Sequence, residues 1–175
     1  MRRLDPAGFS ARYAVRALTE ADVPAIYTLC RSNPLYYAHC GMEPSGELIA
    51  RDMALLPPGT DAEQKYYLGF FDGGCLLAVL DLIDAYPEDG TAFIGFFMLD
   101  GEHSGRGLGS SVIGELLAAL REAGIQSVRL AYVKSNPQAT RFWTKNGFCP
   151  LRKVSHPDYG TVIVAERALR SEQRL

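Results

Sequence analysis

Between residues 91 and 133 the chain runs "TAFIGFFML", then "DGEHSGRGLGSS", then an apolar-periodic stretch, then "IQSVRLAYV". The second segment holds Gly101, Gly105, Gly107 and Gly109, four glycines within nine residues. Glycine at that density lets the backbone turn sharply and approach a ligand closely. From Leu108 the apolar residues Leu108, Val112, Ile113, Leu116, Leu117 and Leu120 recur at helical spacing, and Gly124 ends the helix. Strand, glycine loop, helix and strand predict a βαβ unit whose outer strands are parallel.

The rest of the chain fits around that unit as antiparallel sheet. "KYYLGFF" and "CLLAVLDLI" flank Asp72-Gly73-Gly74, a hairpin signal because such a turn needs positive φ. "AYPEDG" makes the next turn, into "TAFIGFFML". Before them, "YAVRAL" alternates like a strand, and Thr19 or Asp22 caps a helix through Cys30 with Pro24 in its first turn. "NPLYYAHCG" reads as a loop by composition, and Ser45 opens a short helix that Pro57-Pro58 stops. Asn136 and Pro137 open "PQATRFWTKN", and Gly147 ends it. "FCPLRKVS" and "GTVIVAERA" close as a hairpin around "HPDY". The expected architecture is α+β: a mixed, mostly antiparallel sheet with one parallel βαβ unit and helices on its faces. At 175 residues and 47% hydrophobic content, a single domain over residues 1–175 has enough apolar surface for a full core.

Charge narrows the function. The net charge is −2 and the basic residues are scattered, so neither nucleic acid nor an anionic membrane is an expected partner. No apolar run is long enough to span a bilayer. The start "MRRLDPAGFSARYAV" lacks the apolar stretch of a signal peptide. Cys30, Cys40, Cys75 and Cys149 show no C-x-x-C pairing and read as buried free thiols in a reducing cytoplasm, with no metal site.

The glycine loop does not fit a dinucleotide site, because Ser110 stands where the third glycine of G-x-G-x-x-G belongs and no acid follows in the next strand. The G-K-[ST] of a P-loop is absent. Ser104-Gly105-Arg106-Gly107-Leu108-Gly109 instead resembles the pyrophosphate loop [R/Q]-x-x-G-x-[G/A] of the GNAT N-acetyltransferases. A second marker of that family, an Asn opening a helix that ends in an aromatic pair and G-F, is similar to "NPQATRFWTKNGF", with Asn136, Ala139, Phe142-Trp143 and Gly147-Phe148. The order of strands and helices agrees over roughly residues 12–167.

The resemblance implies an acyl-CoA N-acyltransferase fold, acetyl-CoA as co-substrate, and transfer to a primary amine of a small molecule or peptide. Amides of the loop and first helical turn then face the pyrophosphate, with Ser110 adding a hydroxyl and Arg106 charge. The family's fourth and fifth strands splay so that a backbone N–H meets the thioester carbonyl, which falls near Met98-Leu99, and Gly95 marks a bend. Two departures stand out. Ser104 replaces a long Arg or Gln, and Trp143 replaces the tyrosine that often protonates the leaving thiolate. Indole N–H donates a hydrogen bond but supplies no proton near neutral pH, so Trp143 is expected to bind the cofactor by packing against pantetheine or by hydrogen-bonding the sulfur. Tyr132, Tyr36 and Tyr37 are alternative phenols.

Asp81, apolar on both sides in "LLAVLDLI", faces either solvent or a cleft, where it serves as general base. Tyr36, Tyr37, Asp81 and Tyr159 are the candidate acceptor-binding residues, with Glu43 and Glu47 weaker ones. His39, His103 and His156 lie in polar loops and read as surface residues. A rival of another class is a CoA-binding sensor without catalysis. Homodimerisation through an edge strand or the C-terminal hairpin stays open.

Overall fold

A computed structural model describes residues 3–169. After β1 (Ala14–Ala17) come three short helices, α1 (Val23–Arg31), α2 (Pro34–Cys40) and α3 (Gly46–Ala54). The antiparallel run β2 (Lys65–Asp72), β3 (Cys75–Asp84) and β4 (Thr91–Leu99) follows. Then come α4 (Leu108–Glu122), β5 (Ser127–Val133), α5 (Pro137–Lys145), β6 (Cys149–His156) and β7 (Gly160–Ala168). The strands form one seven-stranded sheet in the order β1-β2-β3-β4-β5-β7-β6, antiparallel except for β4 and β5. The mixed sheet expected from the sequence is present. No helix among the described residues is long and apolar enough to cross a membrane.

Each face of the sheet carries its own core. Val112, Ile113, Leu116, Leu117 and Leu120 of α4 and Trp143 of α5 bury against Leu68, Leu80, Leu82, Ile94, Val128 and Leu130. Ile26, Leu29 and Cys30 of α1, Tyr37 of α2 and Ile49 of α3 bury against Tyr67, Val79 and Met98 on the opposite face. The α4 stripe at i, i+4, i+5, i+8 is the sequence periodicity realised as packing.

Two expectations need correction. "NPLYYAHC" is the helix α2, not a loop. Pro34 opens it, Gly41 closes it in the left-handed conformation, and Tyr37 and Cys40 share its buried face. Of the four thiols, Cys30 and Cys40 are buried, whereas Cys75 at the β2–β3 turn and Cys149 at the start of edge strand β6 are exposed.

Candidate active site

β4 pairs with β5 only over Thr91–Ile94, opposite Ser127–Leu130. On its other side β4 carries a bulge: Asp81 faces Phe96 and Leu82 faces Ile94, leaving Gly95 as the extra residue. A bulge bends its strand and increases its twist, and this one takes the end of β4 away from β5. The Asp100 N–H donates to the Leu77 carbonyl at 2.8 Å, so Met98 and Asp100 turn their backbone groups to β3. By alternation Leu99 turns its N–H and carbonyl to the open side. Its carbonyl accepts from Asn33 Nδ2 at 2.9 Å. Of the expected pair Met98-Leu99, only Leu99 offers backbone to the opening; the Met98 side chain is buried in the α1–α3 core.

The glycine loop lies just beyond. Ser104, Gly105, Arg106 and Gly107 are exposed, and Gly107 takes the cap position of α4 at φ +75° with no side chain to cap it. The first N–H groups of a helix have no partner within it, so those of Leu108, Gly109 and Ser110 point out of the fifteen-residue α4 along its dipole. Gly109 has a different role from the one expected. It is buried, and a β-carbon there would lie 3.1 Å from the Phe142 ring, so this glycine lets α5 approach α4. The Ser110 hydroxyl accepts from Asn146 Nδ2 at 3.1 Å and keeps its own proton to donate. Ser104 donates to the Gly101 carbonyl at 2.8 Å, which closes the turn before the loop.

On the opposite face of the sheet, Asp81 is directed into the protein and not to solvent. Its Oδ2 accepts from Lys65 Nζ at 3.0 Å, while Oδ1 is buried with no partner among the described residues. Lys65 spends its other protons on the carbonyls of Asp52 at 3.0 Å and Leu55 at 2.8 Å, at the C-terminal end of α3. Its side chain is 7% exposed and that of Asp81 14%. Burial pushes the Asp81 carboxyl above the ordinary carboxylate range, Lys65 opposes this, and Asp52 adds to it. The carboxylate lies directly over Gly95, where a β-carbon would stand 3.0 Å from Oδ2. The bulge glycine thus makes room for the acid at the point where the strands part.

Aromatic rings continue this face. Tyr36 meets Phe96, the residue opposite Asp81, edge-on with centroids 6.0 Å apart. Burial raises the Tyr36 phenol well above its ordinary pKa, with Cys40, Tyr159 and Asp52 as its polar neighbours. Tyr159, in the β6–β7 turn, stacks on His156 at 4.6 Å. Tyr37 lies deeper, in the α1–α3 core beside the Cys30 thiol. The Tyr37 ring meets that of Tyr36 edge-on with centroids 5.1 Å apart, so it backs Tyr36 from the core side.

The strand opening, the outward Leu99 amide, the free amides at the start of α4 and the buried Asp81 carboxylate are gathered around the second half of β4. The chain matches the model of the Acetyltransferase (GNAT) family over residues 25–148. It belongs to that family. Among solved structures, an acetyltransferase from Thermus thermophilus is 26% identical with a TM-score of 0.72, over 89% of this chain and 96% of that one. The PaiA N-acetyltransferase from Thermoplasma acidophilum, in complex with coenzyme A, is 19% identical with a TM-score of 0.62, over 89% and 98%. The ribosomal-protein-S18-alanine N-acetyltransferase from Escherichia coli is 16% identical with a TM-score of 0.67, over 93% and 98%. The last two share the fold. No curated protein matches the chain.

GNAT proteins use acetyl-CoA, and Asn136, Ala139 and Trp143, expected from the sequence to bind it, lie at or within α5. Asn136 Oδ1 caps α5, accepting from the N–H groups of Gln138 at 3.1 Å and Ala139 at 3.2 Å. Trp143 is enclosed by Phe97, Phe142 and Phe148, so it is a core residue, and the partly exposed Phe142 packs against Gly109. Tyr132 is buried on the α4–α5 face of β5. Burial raises its phenol above the ordinary value, with Thr140 opposing. Nothing in the sequence singles out Lys65 or Asn33, and Phe142 is visible only as the first of the aromatic pair.

Proposed function

We propose that this protein is an N-acetyltransferase that passes the acetyl group of acetyl-CoA directly to a primary amine of a small molecule or peptide. The observation that carries this reading is the opening after Ile94, with the Leu99 N–H turned into it and the Asp81 carboxylate held over the bulge beside it. The co-substrate supplies an activated thioester. The amides of Leu108, Gly109 and Ser110 with the α4 dipole hold its pyrophosphate, Gly105 and Gly107 let it approach, and Arg106 adds charge. Ala139 and Phe142 of α5 flank the co-substrate beside the start of α4, and Asn136 holds α5 in place by capping it.

The Leu99 N–H donates to the thioester carbonyl oxygen, where negative charge develops. Asp81 takes a proton from the acceptor ammonium through Oδ1, directly or by way of a water, while Lys65 holds Oδ2. Tyr132, kept protonated by burial, supplies a proton to the departing sulfur; the Trp143 indole cannot. Tyr36, Tyr159 and Asp81 contact the acceptor. The free thiols, none placed against Leu99 by its hydrogen bonds, favour direct attack in a reducing cytoplasm. A homodimer through β6 is disfavoured, because Pro150, Lys153 and the bulge between Pro150 and Arg152 blunt that edge.

Trp143 and Ser104, where family members often have Tyr and Arg or Gln, favour a second reading as a CoA-binding sensor. Melting curves with acetyl-CoA, NAD and ATP test the cradle common to both. Acetyl-CoA at about a hundred times its Kd stabilises the fold by about 2.7 kcal/mol, and stabilisation by NAD or ATP alone contradicts both readings. Replacing Gly107 by Val forces a branched residue to φ +75° and places methyls at the cradle. The expected result is a loss of about 1–2 kcal/mol in stability and an increase of about tenfold or more in the calorimetric Kd for CoA.

A further inference from the structure

We propose that Asn33 is a positioning residue for acetyl transfer: its side-chain amide takes the place of β5 along the splayed end of β4 and fixes the direction of the Leu99 N–H. This rests on the reading that Leu99 donates to the thioester carbonyl. Strand β5 serves β4 only as far as Ile94, so backbone groups turned to that side afterwards need another partner or water. The Leu99 carbonyl finds one in Asn33 Nδ2 at 2.9 Å. In a strand the N–H and carbonyl of one residue point the same way, so a bond to the carbonyl also sets the N–H.

The amide cannot reverse. Its Nδ2 also donates to the carbonyl of Leu29 at 3.1 Å, which accepts from the Ser32 N–H and hydroxyl as well, and approaches Ser32 Oγ at 3.3 Å. Turning the group over would set an oxygen against two carbonyls. Asn33 stands at the cap position of α2 yet makes no side-chain capping bond there. Helix capping therefore does not account for the residue.

Its neighbour reinforces the same join. The Gly101 N–H donates to Ser32 Oγ at 2.8 Å, and Ser32 Oγ lies 3.0 Å from Asp100 Oδ1. A β-carbon at Gly101 would fall 2.0 Å from the Ser32 carbonyl oxygen, so the two backbones touch. Consecutive residues at the α1–α2 junction thus hold Leu99, Asp100 and Gly101. Tyr36, on the acceptor side, is three residues further along α2. The acyl-side amide and the acceptor-side helix are one mechanical unit.

The test uses two variants and the infrared carbonyl stretch of carbon-13 acetyl-CoA bound to the protein. Asn33→Ser keeps a hydroxyl that reaches the Leu29 carbonyl four residues back and loses Leu99. Asn33→Ala loses both bonds. In wild type the bound carbonyl shifts to lower frequency than in free acetyl-CoA. In both variants that shift falls by more than about half, and acetyl-CoA loses affinity relative to CoA, because the donor is no longer aimed. The Kd for CoA, which has no acyl carbonyl, stays within about twofold of wild type, since the α4 cradle is intact. Retention of the full shift in folded Asn33→Ser overturns the role of Asn33 while leaving the Leu99 donor in place. Absence of any shift in wild type removes the Leu99 donor itself, and the proposal with it.

Discussion

Asp81→Asn lowers kcat/KM for acetyl transfer by about 10²-fold to 10⁴-fold, the range associated with loss of a positioned general base. The variant still folds but with reduced stability, because the Asn carbonyl oxygen accepts from the buried Lys65 ammonium, whose charge is left to the carbonyls of Asp52 and Leu55. The pH profile separates this from a general loss of activity. A base acts only when ionised, so the wild-type rate rises as Asp81 loses its proton. Burial delays that loss, which puts the acidic limb at a higher pH than an exposed aspartate would give. In Asp81→Asn the limb is gone and the remaining dependence belongs to the acceptor amine. A variant with wild-type kcat/KM and the same acidic limb would show that Asp81 only pairs with Lys65.

Lys65→Met has the larger effect on the fold. It leaves a carboxylate buried without its partner and strips the carbonyls of Asp52 and Leu55 at the end of α3. Breaking a buried pair by removing one member costs about 3–5 kcal/mol, and this pair is well enough enclosed for that range to apply. The sign with pH follows from the unpaired acid. Its folded-state pKa is raised further, so the folded variant holds the proton more tightly than the unfolded chain. The cost is therefore full above the folded pKa and shrinks as pH falls through it towards the unfolded value. Urea unfolding of wild type and variant at neutral and acidic pH should show the gap narrowing on acidification. A constant gap would mean that the loss comes from α3 alone.

The pairing of Lys65 with Asp81 shows where the sequence stops being readable. The turn Asp72-Gly73-Gly74 starts the β2–β3 hairpin with Asp72 opposite Cys75 and Phe71 opposite Leu76. Continued without a break, that register places Asp81 opposite Tyr66 and on the other face from Lys65. The bulge between Phe70 and Phe71 shifts the pairing by one, so Asp81 falls opposite Tyr67 and on the Lys65 face. Nothing in "KYYLGFFDGGCLLAVLDLI" announces that bulge. The whole acid–lysine pair depends on it.

The parts set by local chemistry were plain from the sequence. Glycines before an apolar helical stripe gave the loop and α4, and Asn136-Pro137 gave the cap of α5. Gly95 marked the bend of β4 correctly. Long-range contacts were not readable: Gly109 is spent on Phe142, Trp143 is enclosed by three phenylalanines, and Asn33 reaches Leu99 at the end of β4 from the α1–α2 junction. The helix α2 was locally encoded by Pro34 and Gly41. Composition, with its Asn, Pro and Gly, pointed to a loop instead.

On the proposed function the acetyl group passes directly from acetyl-CoA to an amine. The most direct measurement follows thiol release from acetyl-CoA across amino acids, polyamines, aminoglycosides and peptides, with mass spectrometry of both the acceptor and the protein. Thiol release that depends on one amine class, an acceptor that gains one acetyl group, and a protein that carries none are the results predicted. Tight binding of acetyl-CoA with no thiol released for any amine, or an acetyl group captured on a cysteine of the protein, would contradict it.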